Sequence, residues 1–170
     1  IPFIVARMDG DKVTPEARKY LNNLFTIFFM LMVFVSLVAF ILMPLFAHLI
    51  APGFTPFYQA KLVLLSRIML LSPILMGLSN LFGTVTQLFR KFFIYSLSPV
   101  FYNFGIIVGV VFLYPMWGIV GLAVGVAFGA FMHFLVQALA SRHCGFSPKF
   151  SFSINFKEIK QVAMASLPRT

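Results

Sequence analysis

The feature that most constrains this chain is a long stretch without charge. No Asp, Glu, Lys or Arg occurs between Lys19 and Lys61. An α-helix needs roughly 20 mainly apolar residues to cross a bilayer core about 30 Å thick, so this stretch is long enough for one crossing. Three further apolar segments follow it, separated by short polar gaps. The pattern predicts a polytopic α-helical membrane protein.

The composition supports the same class. The 170-residue chain is 61% hydrophobic, and only 10% of its residues are charged, whereas soluble domains are about a quarter charged. A bilayer solvates apolar side chains, while helices satisfy their own backbone polar groups. We therefore predict an all-α membrane fold in which four transmembrane helices form a bundle. The four spans are placed at about 21–49, 62–88, 92–114 and 118–140.

The segments that flank the spans carry start and stop signals for helices. Thr14 followed by Pro15 is typical of a helix start, and Pro44 is expected to kink the end of the first span. A cytoplasmic interfacial segment is predicted over 142–160, with a plain polar loop as the alternative, and a further helix over about 156–170. Because the chain begins without Met and stops within this last helix, we expect an internal segment of a longer protein.

The basic residues predict an orientation. The net charge is +9, but almost all of the Lys and Arg residues lie outside the spans, in the polar segments that flank them. They form no basic groove interleaved with aromatic residues, so nucleic acid is not an expected partner. Cytoplasmic loops of membrane proteins are enriched in Lys and Arg. One side carries only Lys61. The other side, predicted to be cytoplasmic and near anionic headgroups, carries Arg7, Lys12, Arg18, Lys19, Arg90, Lys91, Arg142, Lys149, Lys157 and Lys160.

Arg67 is the one charge plainly inside a predicted span. A charged side chain in a membrane helix is costly unless it is paired or hydrated, so it often marks a polar pathway. The alternative is that Arg67 lies close enough to the helix start to extend its guanidinium to the outer headgroups. For Asn103 the alternatives are cargo contact and interhelical hydrogen bonding, as they are for Asn80, Gln87 and Gln137.

Prolines and glycines within the spans predict bends and close helix packing. Pro73 and Pro99 are the expected bend positions. Glycines four residues apart let two helix backbones approach closely. Such spacing occurs at Gly105 and Gly109 and again at Gly121, Gly125 and Gly129.

No pattern in the sequence points to catalysis. His143 and Cys144 are neighbours without a second pair at metal-ligand spacing. The spans contain no carboxylate that could orient a catalytic histidine, and glycine-rich phosphate loops are missing. We therefore predict that the protein is not an enzyme and needs no cofactor or metal.

Several segments, in this order along the chain, resemble the MurJ/MviN family of lipid II flippases. The resemblance is carried by the loop Ala51–Phe54, the proline-bearing segment Arg67–Pro73, the turn Arg90–Phe92, the helix start Pro99 to Asn103, the run Gly121–Gly125 with Gly129 and Gln137, and Leu167–Thr170. Where the family turn often has Arg-Phe, this chain has Arg-Lys-Phe.

The resemblance implies helices three to six, and the start of helix seven, of a fourteen-helix transporter with two lobes. Such a protein of the multidrug/oligosaccharidyl-lipid/polysaccharide exporter superfamily moves lipid-linked peptidoglycan precursor from the inner to the outer leaflet by alternating access. The implied location is the bacterial inner membrane, and the implied partners are membrane lipid, the lipid-linked cargo and the remaining helices of the same chain. The family's cargo-binding arginines lie mainly in helices one, two and eight, so none maps onto these residues.

Other functions stay open at this point. One is export of another polyprenyl-linked glycan, and another is a membrane scaffold that transports nothing. A membrane enzyme would need carboxylates or histidines from outside this segment.

Overall fold

The computed structural model describes residues 8–9 and 12–150. Within these ranges the chain is almost entirely helical, apart from a pair of antiparallel two-residue strands, β1 (Met8–Asp9) and β2 (Lys12–Val13), which precede the first helix. The helices are α1 (Pro15–Ile50), α2 (Pro56–Met69), α3 (Leu71–Leu88), α4 (Phe92–Val108), a π-helical turn (Gly109–Leu113), α5 (Tyr114–Trp117) and α6 (Ile119–His143).

Four helical stretches are long and apolar enough to cross a membrane, which confirms the predicted fold class. They cover Ala17–Ile50, Pro56–Leu88, Phe92–Trp117 and Ile119–His143. Their outer faces expose large apolar side chains, such as Ile50 and Phe93, each 79% exposed. So much exposed apolar surface is not stable in water and is typical of a protein that lies in lipid or packs against further helices.

The start of α1 has the predicted cap. The Thr14 hydroxyl accepts a hydrogen bond from the Ala17 backbone N–H at 3.2 Å, and Pro15 occupies the first turn. The cap satisfies one of the amide groups that a helix start leaves without an intrahelical partner.

The second span is divided into two helices. α2 ends at Met69, and α3 begins at Leu71. Pro73 has no N–H to donate to the Met69 carbonyl, which lies four residues before it, so one α-helix cannot continue unchanged through this point. The interruption lies at Leu70, three residues before the proline where a bend was predicted.

The third span runs through Pro99 and changes character only near its end. The π-helical turn is closed by the Tyr114 N–H, which donates to the Gly109 carbonyl five residues earlier. Helical structure then continues to Trp117, beyond the end of the span predicted at about residue 114, and ends at Gly118, whose φ of 60° suits glycine. π-helical turns of this kind are rare and often occur at functional positions.

α6 is the central helix of the bundle. It packs along both α3 and α4 and also contacts α2, while α1 packs against α2 and α3. The N-terminal half of α1 contributes Tyr20, Leu21 and Phe25 to an apolar core. Leu78, Phe82 and Val85 of α3 and Phe146, which follows α6, complete that core.

Two helix ends at the same end of the bundle have the same hydrogen-bond pattern. After α3, Lys91 N–H donates to the Thr86 carbonyl and Arg90 N–H to the Gln87 carbonyl. After α6, the Phe146 and Gly145 amides donate to Ser141 and Arg142 in the same way. This Schellman pattern places the residue after the cap in the left-handed region. That residue is Gly145 (φ 78°) in one case and Arg90 (φ 56°) in the other.

Substitutions at these two positions should change stability in opposite directions. Gly145→Ala should cost about 1 kcal/mol because a Cβ disfavours the left-handed region. Arg90→Gly should gain about 0.5 kcal/mol for the same reason. Thermal unfolding of the purified full-length protein measures both, and a lower melting temperature for Arg90→Gly would contradict this account.

Candidate functional site

A polar cluster is buried where α3, α4 and α6 meet. Its centre is Gln137 on α6, which is fully buried. The Gln137 Nε2 donates to Ser98 Oγ on α4 at 2.7 Å, and Thr86 Oγ1 on α3 donates to Gln137 Oε1 at 2.9 Å. Thr86 and Ser98 are also fully buried. One amide side chain therefore ties three helices together.

Each hydroxyl in this cluster also has an acceptor within its own helix. Thr86 Oγ1 lies 2.9 Å from the Gly83 carbonyl, and Ser98 Oγ lies 3.3 Å from the Ile94 carbonyl. Because a hydroxyl has one hydrogen, Thr86 donates to one of its two acceptors at a time. Ser98 can accept from Gln137 and donate to Ile94 at once. Because each hydroxyl can either donate to the Gln137 amide or accept from it, both remain satisfied within the cluster.

Gln137 also contacts the backbone at the position that Pro99 disturbs. Pro99 has no N–H for the Tyr95 carbonyl four residues earlier. Gln137 Nε2 lies 3.4 Å from that carbonyl oxygen and is a donor to it. A side chain of α6 therefore supplies a hydrogen that the backbone of α4 lacks, and the helix continues through the proline.

A second polar pair joins α3 and α6. It lies about two turns before Thr86 on α3 and about one turn before Gln137 on α6. Ser79 Oγ lies 2.6 Å from His133 Nδ1 and 3.2 Å from the His133 carbonyl. Ser79 is fully buried and His133 is 7% exposed. The histidine is thus engaged in packing between helices.

The predicted glycines lie between the helices of the third and fourth spans. A Cβ on Gly105 would meet the Gly129 backbone, and one on Gly109 would come within 2.6 Å of Gly125 Cα. A Cβ on Gly121 would meet the Leu113 carbonyl at the π-helical turn. Since all of these neighbours are backbone atoms, no side-chain movement could make room. The two helices touch through their backbones.

Arg67 and Asn103, the two candidates for a cargo pathway, have different partners. Arg67 is half-buried on α2, and its Nε donates to the Phe40 carbonyl of α1 at 3.2 Å. Asn103 is exposed, and its Nδ2 donates to the Pro99 carbonyl of its own helix at 2.9 Å. The structure thus places the two side chains in separate surroundings.

Most of the basic side chains described by the structure lie at one end of the bundle. Arg18 of α1 donates to the Gly145 carbonyl after α6 at 2.9 Å, which brings the start of α1 beside the end of α6. Arg90 and Lys91 follow α3 in the turn at that end, and Lys91 lies near enough to Cys144 to influence its thiol. Exposed cations at this end are Arg18, Lys19, Arg90, Lys91, Arg142 and Lys149.

The chain after α6 folds back across the start of α1. The Lys149 backbone N–H donates to Asn22 Oδ1 at 2.9 Å, and the Phe150 ring packs against Phe25 and Phe29. The first part of the predicted interfacial segment therefore lies against the bundle. Its remainder, and the predicted further helix, lie outside the described residues.

The lone cysteine gives a test of this end of the bundle. Burial raises the pKa of the Cys144 thiol, and the positive charge of Lys91 opposes that effect. Because the thiolate is the reactive form, a maleimide should modify Cys144 more slowly at neutral pH than it modifies glutathione. Lys91→Gln should slow the reaction further at the same pH. Both rates can be measured by quenching the labelling reaction at successive times, in full-length protein whose other cysteines are replaced. Faster labelling of Lys91→Gln would contradict this account.

Comparison with known proteins identifies the family. The sequence model of the family described as "Lipid II flippase MurJ" matches residues 1–170. The chain belongs to this family. It is 37% identical over 79 residues to the probable lipid II flippase MurJ of Borreliella burgdorferi, a match that covers 46% of this chain and 16% of that relative. No solved structure matches the chain. The resemblance found in the sequence is thereby confirmed.

Proteins of the MurJ family are membrane proteins, and the apolar helices agree with a membrane location. The sequence analysis did not identify Thr86 and Ser98 as the partners of Gln137. Ser79 and Thr86 lie seven residues apart on α3, as do Ser72 and Ser79, which puts all three on one helix face. This repeat of small hydroxyl residues is the sequence signal that could have indicated a polar contact on this face of α3.

Proposed function

We propose that the chain is part of a lipid II flippase that moves the lipid-linked peptidoglycan precursor from the inner to the outer leaflet. The observation that carries the proposal is the family match over the whole sequence, on a chain whose helices are long and apolar enough to span the membrane. The cargo, the full activity and the mechanism are proposals, because the matched segment spans 16% of the curated relative's length.

In this proposal α3, α4 and α6 move as one body during alternating access. The backbone contacts at Gly105 and Gly125 and the hydrogen bonds of Gln137 support it, since they hold three helices at short distances. Packed elements of this kind tend to shift as rigid units against another part of a transporter. A membrane gradient would supply the energy, and the segment would pack the first lobe around cargo-binding residues contributed by other helices.

Rescue of bacteria tests the cargo. The full-length gene, expressed in cells depleted of their own lipid II flippase, should restore growth and cell shape. Export should also make lipid II accessible to an added enzyme that cannot cross the membrane and that cleaves the lipid only in the outer leaflet. Correct membrane expression without rescue and without cleavage would refute lipid II as cargo.

The same cells distinguish the other functions. A carrier of another polyprenyl-linked glycan should leave the lipid II defect unrepaired and restore export of that glycan in a strain that lacks its carrier. A scaffold should restore neither. The same gene carrying Gly53→Ala should behave like the unchanged gene in both strains, because the change is at an exposed loop glycine with no atom within 4 Å of the new Cβ.

We further propose that the basic end of the bundle faces the cytoplasm of a bacterial inner membrane. Six of the described exposed cations lie there, and cytoplasmic loops favour such residues. Each cation near an anionic leaflet contributes about 1 kcal/mol of attraction, so anionic headgroups are the proposed partners of this end.

Two introduced cysteines test the orientation in a full-length background without other cysteines. Ser147→Cys lies at the basic end, and Gly53→Cys lies in the loop at the opposite end. A membrane-impermeant maleimide added to intact spheroplasts should label Gly53→Cys and spare Ser147→Cys. In inside-out vesicles the pattern should reverse. Labelling of Ser147→Cys in spheroplasts would show the opposite orientation.

A further inference from the structure

Pro44 removes the intrahelical donor for a backbone carbonyl in the C-terminal part of the apolar helix α1. In α1 the Phe40 carbonyl would normally accept from the N–H of residue 44, but proline has none. In the hydrocarbon region of a bilayer, a backbone carbonyl without a hydrogen-bond donor is costly. The apolar residues around it, including Ile41 at 64% and Leu45 at 56% exposure, show that it lies on an exposed apolar stretch of α1.

Arg67 supplies the missing donor from the neighbouring helix. Its Nε donates to the Phe40 carbonyl oxygen at 3.2 Å. Its guanidinium carbon also lies 4.4 Å from the centre of the Phe40 ring, at a cation–π distance. The backbone and the side chain of one residue therefore both bind the same arginine. These two contacts fix the guanidinium beside the proline.

We propose that Arg67 is a positioning residue that joins α2 to the proline position of α1 by replacing the hydrogen bond Pro44 removes. This assigns Arg67, eleven residues inside the second span, to an interhelical contact, in place of a contact with cargo or with outer headgroups. The proposal rests on the geometry of α1 and α2 and does not depend on which cargo the protein carries.

The surroundings of Arg67 agree with this role. Arg67 and Pro44 line the same groove between α1 and α2, with a volume of about 450 Å³. Its other walls are formed by Pro56, Gln59, Ala60, Val63 and Leu64, none of which is charged. Gln59 is itself engaged, since its Nε2 lies 3.3 Å from both His48 Nδ1 and the Ala51 carbonyl.

The same solution occurs a second time in the bundle. The Tyr95 carbonyl, which Pro99 leaves without a donor, receives Gln137 Nε2 from α6. Two prolines within spans are thus each matched by a polar side chain of another helix that reaches the carbonyl four residues earlier. In both cases, a carbonyl that proline leaves without its backbone donor accepts a hydrogen bond from a neighbouring helix.

Three substitutions separate the donor from the charge. In Arg67→Gln, the amide Nε2 stands at the same number of bonds from Cα as the arginine Nε, so the donor is kept and the charge is lost. Arg67→Met reaches as far as the arginine Nε but removes donor and charge. Arg67→Lys keeps a charge and a donor. We expect the apparent melting temperature of the full-length protein in detergent to fall by about 2–4 °C in Arg67→Met, and by no more than half of that in Arg67→Gln.

The decisive experiment repeats Arg67→Met in a protein that also carries Pro44→Ala. Alanine restores the N–H that can bond to the Phe40 carbonyl, so Arg67 should no longer be needed there. Adding Arg67→Met to Pro44→Ala should therefore lower the melting temperature by less than about 1 °C. This suppression is specific to the proposed contact, because a general packing role for the arginine would persist in both backgrounds.

The opposite results would overturn the proposal. If Arg67→Gln is as damaged as Arg67→Met while Arg67→Lys is intact, the charge is what matters, and replacement of the missing hydrogen bond is not the role of Arg67. If Arg67→Met costs the same with Ala as with Pro at residue 44, the contact with the Phe40 carbonyl is not its role. Melting temperatures report this separately from lipid II rescue, so failure of rescue would leave the result interpretable.

Discussion

Replacing Gly125 with Val should disrupt the bundle more than any other single change considered for this chain. A Cβ at this position would lie against the Gly109 backbone, closer than real Cβ contacts occur. The neighbour is backbone, so α6 must move away from the third span to accept the side chain. Overpacking of this kind costs about 3 kcal/mol. We expect little monodisperse full-length protein after detergent extraction and loss of flippase rescue.

Two other glycines provide a graded control for that result. A Cβ on Gly77 would come within 2.9 Å of the Phe28 ring, which can turn aside, and a Cβ on Gly53 meets nothing. Gly77→Ala should therefore lower the stability only slightly, because the helix propensity of alanine, higher than that of glycine by about 1 kcal/mol, offsets part of the crowding. Gly53→Ala should be neutral. The melting temperatures should rank Gly53→Ala, Gly77→Ala and Gly125→Ala from highest to lowest. Equal values would show that the backbones do not limit the approach of the helices.

The architecture was accessible from the sequence because its strongest signals are local. The absence of charge between Lys19 and Lys61 predicts a membrane helix by length and hydropathy alone. Thr14 and Pro15 predict the start of α1 through a cap that depends on adjacent residues. The spacing of Gly121, Gly125 and Gly129 also predicts a face for close packing, since residues four apart share one side of a helix.

The contacts of the candidate site could not be predicted in the same way. Which helix faces Gln137 depends on how α6 is rotated between its neighbours, and Thr86 and Ser98 lie 51 and 39 residues away in sequence. Arg67 posed the same difficulty. Its distance from the helix start allowed snorkelling, whereas the structure places it beside the carbonyl freed by Pro44, 27 residues away at Phe40.

Replacing Gln137 with Leu should have the second largest effect. Leucine has a similar volume but cannot donate to Ser98 or to the Tyr95 carbonyl, and it cannot accept from Thr86. Hydrogen bonds between membrane helices contribute about 0.6–2 kcal/mol, so we expect a loss of about 1–2 kcal/mol, measured as a lower melting temperature of the full-length protein. Gln87→Leu on α3 is the matched control and should change stability by less than about 0.5 kcal/mol.

The partners of Gln137 indicate where its effect originates. Thr86 and Ser98 can donate to the Gly83 and Ile94 carbonyls of their own helices when Gln137 is absent. The Tyr95 carbonyl has no such alternative, because Pro99 cannot donate to it. Restoring a backbone donor with Pro99→Ala should therefore recover part of the stability lost in Gln137→Leu. If Pro99→Ala recovers nothing, the loss arises instead from the two hydroxyls, and Thr86→Val with Ser98→Ala should then reproduce it.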